Sequence, residues 1–404
     1  LLRRLQFLIL AIVLVVAAFS TGLPFLFFLL YVGLLVGGGS YVLTRLGLSD
    51  LEAGYAVSQL SGHVGDRLRI TYTLRNTGRL PKPWLEVHNP TTLPGGLPGR
   101  ALSLRGRSER SWLVRAELLR RGHFRVEPLM IRTGDPFGFF EASAAVGQGI
   151  TLVVYPRIDP LPLWRLPPAN IEGAHASPER TLQTTPLATA VRPYAPGDAM
   201  NRIHWRSTAR LGEIQVKEFD LEQTADAWLF LDLDASAAAG EGDRSTTEVG
   251  VRVAASIADK ALGENRAVGM SVNGHRLAVL PADRGSRQRL KILQLLAAVE
   301  ADGVAPLAES LVTGLGRLRR GMTAVVITSS SDPSFVRPLA TLRGRGIGSV
   351  VVLLDRPAFR RDPDPEEADR ERQRMRAVRH ALAEFELPTF VIEPNQPLEV
   401  ALVS

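Results

Sequence analysis

The sequence predicts a multidomain chain in three successive parts: a transmembrane helical hairpin, a domain of antiparallel strands, and an α/β domain on a mainly parallel sheet. Three observations carry this prediction. No charged residue occurs from Leu5 to Thr44. Hydrophobic residues then alternate with period two as far as about Arg157. From Ala227 onwards, short runs rich in β-branched residues alternate with helical patterns. A chain of 404 residues is long enough for two or three domains with separate cores.

One straight helix through the uncharged run would be about 60 Å long, roughly twice the hydrocarbon thickness of a bilayer. The turn-prone "STGLP" at Ser20–Pro24 breaks it. We therefore expect one span over Leu5–Phe19 and a second from Phe25 to about Thr44, so that 1–48 forms the hairpin. A cleaved signal peptide would have a shorter apolar region ending in a small-residue cleavage site. Arg3 and Arg4 precede the first span and Arg45 follows the second, while the turn between them is uncharged. Positive flanks place both ends, and all that follows, on the cytoplasmic side of the inner membrane.

Residues 49–157 read as a β-domain. In "RLRITYTLRNTG", Leu68, Ile70, Tyr72 and Leu74 share one face and Arg67, Arg69, Thr71 and Thr73 the other, and the run closes on an Asn-Thr-Gly turn. "RSWLVRAELL", "GHFRVEPLMIRT" and "ITLVVYPR" repeat the theme with no helix between them. An immunoglobulin-like β-sandwich of roughly 100 residues accommodates such a series. Residues 158–190 are rich in Pro and small residues, the composition of a linker or a strap lying across a neighbouring domain.

In the last part, 191–404, the strand candidates are Ala227–Asp234, Ala267–Asn273, Met322–Ser330, Ile347–Asp355 and Pro388–Glu393. Helical patterns over Glu248–Leu262, Ser286–Val299, Leu307–Arg319, Ser334–Arg343 and Glu366–Phe385 separate them. Continuous apolar strands alternating with helices mean a parallel sheet covered on both faces. "HRLAVLP", after Asn273-Gly274, reads as an antiparallel edge strand. The charged run from Arg360 to His380 reads as a solvated helix face.

The formal charge is +7, and only four of the 48 basic residues are Lys. The cations are scattered among nearly as many acids, so nucleic acid is not expected as a partner. Anionic headgroups near a membrane anchor account for the basic excess. There is no P-loop, no H-E-x-x-H and no G-x-S-x-G. The first α/β strand ends in Asp232, Asp234 and Ser236 at alternate positions. Oxygen groups leaving a strand end could hold Mg²⁺ or Ca²⁺, or simply cap the next loop.

The densest polar stretch is "VRPYAPGDAMNRIHWRSTARLGEIQVKEF", Val191–Phe219. Its pattern predicts a turn, a short helix capped by Asp198 and stopped at Gly212, then a strand. Arg202, Arg206 and Arg210 recur every fourth residue as a basic ridge. His204 and Trp205 are expected mainly to pack.

This stretch resembles the signature of the bacterial family catalogued as domain of unknown function 58. Arg192, Tyr194, Gly197, Asp198, Ile203, His204, Trp205, Thr208, Ala209, Arg210, Lys217 and Glu218 fill its positions. The resemblance implies two membrane helices, a β-domain and a von Willebrand factor A-like α/β domain. It further implies work alongside MoxR-type AAA+ ATPases in the assembly or maturation of other proteins. The chain departs from the adhesion-site pattern of A-type domains. Asp234 stands where the first Ser belongs, "GVAPL" puts Ala305 and Pro306 where a Thr is usual, and Thr328 is followed by Ser329 rather than Asp. A non-enzymatic membrane-anchored adaptor is therefore the leading expectation. The alternatives are an enzyme using Asp198 and His204, or a metal at Asp232, and an outward-facing adhesion protein.

Overall fold

The computed structural model describes residues 2–166, 190–195, 198, 200, 203–218, 226–361 and 364–403. Their contacts divide the chain into two compact units. One is Leu1–Ile158 with Leu293–Val299, and the other is Asp159–Ile292 with Glu300–Ser404.

The first unit begins with helices α1 (Leu2–Thr21) and α2 (Pro24–Gly47), joined through Gly22 at φ +67°. Among the described residues, α2 alone is long and apolar enough to cross a membrane; the apolar part of α1, Ile9–Thr21, is shorter. Ten strands follow: β1 (Leu51–Val57), β2 (Ser61–His63), β3 (Arg67–Asn76), β4 (Lys82–His88), β5 (Arg100–Leu104), β6 (Ser108–Glu117), β7 (Gly122–Val126), β8 (Leu129–Gly134), β9 (Glu141–Val146) and β10 (Ile150–Tyr155). They form three sheets, ordered β1-β3-β6, β2-β10-β7 and β5-β4-β8-β9. The pairings are antiparallel except β2 with β10. The alternation read in β3 is the observed burial pattern: Leu68, Ile70, Tyr72 and Leu74 join Leu85, Ile131 and Leu152 in one core.

The last turns of α2 sit on this unit. Ser40, Thr44 and Gly47, on one face of the helix, are its buried residues. A Cβ on Gly47 would lie 2.8 Å from Cγ2 of Thr133, so only glycine lets the helix end approach β8 this closely. The Lys82 side chain, 2% exposed, donates to the Leu46 carbonyl and to Oγ of Ser49 (3.3 Å). A cation is favourable at a helix C-terminus, where carbonyls lack partners. Burial pulls the Lys82 ammonium below its ordinary pKa, against the opposing pull of Asp50.

In the second unit, Asp159 pairs with Arg252, its N–H donates to Ser256 Oγ (3.0 Å), and Leu161, Trp164 and Leu166 are buried. This start of the Pro-rich stretch therefore lies down as a strap; 167–189 fall outside the described residues. Next come β11 (Ala190–Pro193), α3 (Trp205–Leu211) and β12 (Gln215–Glu218). The α/β part runs β13 (Ala227–Asp232), α4 (Thr246–Gly263), β14 (Val268–Asn273), β15 (Leu277–Asp283), α5 (Gly285–Ala298), α6 (Leu307–Leu315), β16 (Thr323–Thr328), α7 (Val336–Gly344), β17 (Gly348–Leu354), α8 (Arg356–Phe359), α9 (Pro365–Glu384), β18 (Thr389–Ile392) and α10 (Leu398–Ala401).

Its six-stranded sheet is ordered β15-β14-β13-β16-β17-β18, all parallel except the edge strand β15. Trp228, Phe230, Val326 and Val351 face a core completed by α6, α7 and α9. On the other face α4 approaches so closely that a Cβ on Gly250 would touch Leu231, Ile327 and Leu354. The edge strand and the helix-covered parallel sheet match the sequence expectation. In the charged helix α9, however, Glu371, Met375, Val378 and Leu382 are buried.

Candidate functional site

Two places in the second unit concentrate the residues singled out in the sequence. The first is the signature stretch. β11 and β12 pair antiparallel, with Arg192 opposite Val216, and α3 is carried between them. Asp198 does not cap this helix. Its carboxylate takes two hydrogen bonds from the Arg192 guanidinium, both 2.8 Å, and one from the Ala195 N–H (2.9 Å). The cap is His204, whose Nδ1 accepts from the Ser207 N–H (3.3 Å) and bonds Ser207 Oγ (2.7 Å). The His204 N–H reaches the Gln215 carbonyl (2.7 Å), tying the helix start to β12. At the other end Gly212 adopts φ +74° and closes the helix onto the Thr208 carbonyl, as the sequence suggested.

Among the described residues here, only Ile203, Gln215 and Val216 are buried. Trp205 is 68% exposed, which corrects the expectation that it packs. Met200 and Leu211 are as open, and Ile214 and Tyr194 are exposed with them. Arg206, Ala209 and Arg210 lie on the exposed side of α3; Lys217 and Thr208 are half-buried. Glu218 is the last residue of β12. Gly197 and Arg202 lie outside the described residues. Asp198 and His204 thus serve two separate structural bonds, an ion pair and a helix cap. Neither is held by the other as an acid–base pair would require.

The second place is the crevice at the carboxyl ends of β13, β16 and β17, where an open α/β sheet reverses its strand order. Its volume is about 230 Å³, and Asp234, Ser236, Ser330, Asp332, Ser334 and Arg356 are among its lining residues. Asp232, at the end of β13, is buried behind this lining. Its Oδ2 accepts from Thr328 Oγ1 (2.7 Å), and its Oδ1 from the Asp234 N–H (3.2 Å) and Asn273 Nδ2 (3.5 Å). Burial raises the Asp232 pKa despite these donors. Asp234 Oδ1 accepts from the Ser236 N–H (2.8 Å), a local loop bond, and Asp332 caps the turn at Ser334.

Of the residues read as a Mg²⁺ or Ca²⁺ site, Asp232, Asp234 and Ser236, the two carboxylates accept hydrogen bonds within the protein. The Asp232 oxygens point to protein donors, and Ser329 turns inward to the Ala237 carbonyl (2.9 Å) instead of offering a ligand. Among the described residues, no group of three or more His, Cys, Asp or Glu is placed to hold a metal. The crevice has its own cation in Arg356, 3.2 Å from Glu371. Burial lowers the Arg356 pKa, opposed by Glu371 and by Asp234. Glu371 also meets Arg360 at 3.2 Å. Sequence reasoning missed both, because the ion pair joins α8 to a helix that reads as solvent-facing.

Residues 190–357 match the family model described as Protein of unknown function DUF58. The uncharacterized protein YeaD of Bacillus subtilis is 28% identical over 342 residues, 82% of this chain and 80% of that protein. The uncharacterized protein Rv1480 of Mycobacterium tuberculosis is 26% identical over 170 residues. That match takes in 41% of this chain and 53% of the relative, so the chain spans about half of its length. Among solved structures, the CARDB domain of the PF1109 protein from Pyrococcus furiosus aligns with 26% of this chain and 92% of its own, at 14% identity and a TM-score of 0.20. A score that low leaves the fold to be read from the strands themselves. The matched segment begins at the strand that carries Arg192 and runs through the crevice to Arg356, and over that segment the chain is similar to the DUF58 family.

Proposed function

We propose that this protein is a non-enzymatic membrane-anchored adaptor that docks another protein through the exposed face of α3. The observation that carries the reading is Trp205, 68% exposed beside Arg206 and Arg210. Leaving a large aromatic in water is a cost without structural return, and Trp and Arg dominate the energetics of protein interfaces. The partner we propose is a MoxR-type AAA+ ATPase, acting with this chain in the assembly or maturation of other proteins. In this reading α1 and α2 both cross the inner membrane, and the basic flanks keep the rest in the cytoplasm. The β-domain is then an immunoglobulin-like sandwich. The α/β domain is von Willebrand factor A-like, a reading supported by the strand order 3-2-1-4-5-6 with an antiparallel third strand.

The test is co-purification from membranes. Reversing the ridge with Arg206→Glu and Arg210→Glu abolishes recovery of the ATPase while leaving the protein folded and membrane-bound. Recovery at wild-type levels overturns the surface assignment.

A further inference from the structure

The first unit holds an aromatic loop that neither its core nor the adaptor reading uses. Between β8 and β9 runs "DPFGFF", Asp135–Phe140. Asp135 fixes its shape: Oδ2 accepts from the Phe137 N–H (2.9 Å) and Oδ1 from the Phe140 N–H (2.6 Å). The Ser40 hydroxyl of α2 adds a third donor to the same carboxylate. Burial alone would raise the Asp135 pKa, but these donors together hold it below its ordinary value. The loop is therefore built, and it is built against α2.

It nevertheless holds the Phe137 ring outward, with Phe139 and Phe140 half-buried. Phe137 is 61% exposed and stacks on Phe139 (centroids 5.7 Å apart, planes 20° apart). Phe140 meets Tyr41 of α2 edge-on at 5.6 Å, and the Arg45 guanidinium lies over the Tyr41 ring at 5.9 Å. Trp84 is 41% exposed at the same end, its ring beside Gly134.

The height of this cluster along α2 decides what covers it. From Pro24 to Ser40 the helix rises about 24 Å at roughly 1.5 Å per residue. A hydrocarbon layer is about 30 Å thick. If the layer begins near Pro24, Ser40 and Tyr41 lie just inside its opposite boundary. Rings at that level, with a basic residue one turn beyond, have the composition of a membrane–water interface.

We propose that the Asp135–Phe140 loop is a second membrane contact, with Phe137 and Phe139 inserted among the phospholipid headgroups and upper acyl chains beside α2. The inference rests on reading α2 as a span. It turns the β-domain from a passenger on the helix into a part seated in the bilayer.

The chain has no cysteine, so single labels are clean. Phe137→Cys, Phe139→Cys, Leu34→Cys and Leu119→Cys are each introduced into the full chain. Each variant is labelled with an environment-sensitive fluorophore and reconstituted in phosphatidylcholine–phosphatidylglycerol vesicles carrying a nitroxide lipid. Leu34 is exposed on α2 and reports the span. Leu119 lies just past β6, whose Glu117 pairs with Arg67 at the end of β3 remote from α2. Labels at 137 and 139 are expected to be blue-shifted and quenched by lipid at least about threefold more than the label at 119. Quenching at 137 and 139 no greater than at 119, with 34 strongly quenched, overturns the loop contact alone. A blue shift without lipid quenching means that protein covers the rings, and also overturns it. Absence of quenching at 34 removes the span reading and this inference with it.

Discussion

The seat of α2 on the β-domain and the signature stretch around α3 break the inside–outside rule in opposite directions. At the seat, polar groups are buried: Ser40, Thr44 and Lys82, each with a hydrogen-bond partner. Around α3, apolar groups are exposed, with Met200, Trp205 and Leu211 each at least 64% open. A buried polar group with its partner supplied is a finished joint, specific in geometry and costly to break. An exposed aromatic with none is an unfinished one. The comparison teaches where to expect stability and where to expect association.

The contrast breaks first at Lys82. Lys82→Ala removes a charge-assisted bond to the Leu46 carbonyl and empties a buried site. It is expected to cost on the order of 2–3 kcal/mol in denaturant unfolding of the detergent-solubilised chain. A loss below about 0.5 kcal/mol would mean that the seat is not the finished joint described.

A smaller effect is expected at the crevice. Asp232 has a raised folded pKa, so its stabilising contribution is complete below the unfolded value and is lost as pH rises through the folded one. Asp232→Asn keeps the acceptors for Asp234 and Asn273 but cannot ionise. The wild-type melting temperature is therefore expected to fall, relative to that of the variant, as pH rises above the ordinary carboxylate range. Parallel curves would place the carboxylate in a more hydrated setting than its contacts describe.

The smallest stability effect belongs to α3. Trp205→Ala should change unfolding free energy by no more than about 0.5 kcal/mol. It should nonetheless weaken partner capture by about tenfold or more, measured by titrating the immobilised chain. A large stability loss with capture unchanged would reverse the roles assigned to the two regions.

The α/β sheet was legible because strands buried on both faces need uninterrupted apolar runs, and "AVVIT" or "VVVLL" cannot be mistaken for surface. The carboxyl-end cluster of Asp232, Asp234 and Ser236 was legible from alternate spacing alone. What could not be read was direction. Spacing shows that Asp232 leaves a strand end, but not that Thr328, on a different strand, turns it inward. His204 was missed as a cap because Ser, Thr, Asp and Asn usually fill that role, and Asp198 stood nearby as the obvious choice. Trp205 reads as packing in sequence because a helix of seven residues is too short for its periodicity to say which face is wet. Lys82 gives no signal in sequence at all. Its role comes from a helix end more than thirty positions away.

Gly47 has a mechanical consequence. Because no Cβ separates the end of α2 from Thr133, and because Lys82 locks the carbonyl beside it, the helix and the β-domain meet without a hinge. A tethered domain would dissipate a sideways pull in its linker. Here the same pull arrives at the helix as torque; with α2 as the span we propose, that torque tilts it in the bilayer, and a tilt imposed from the membrane swings the β-domain as a lever arm.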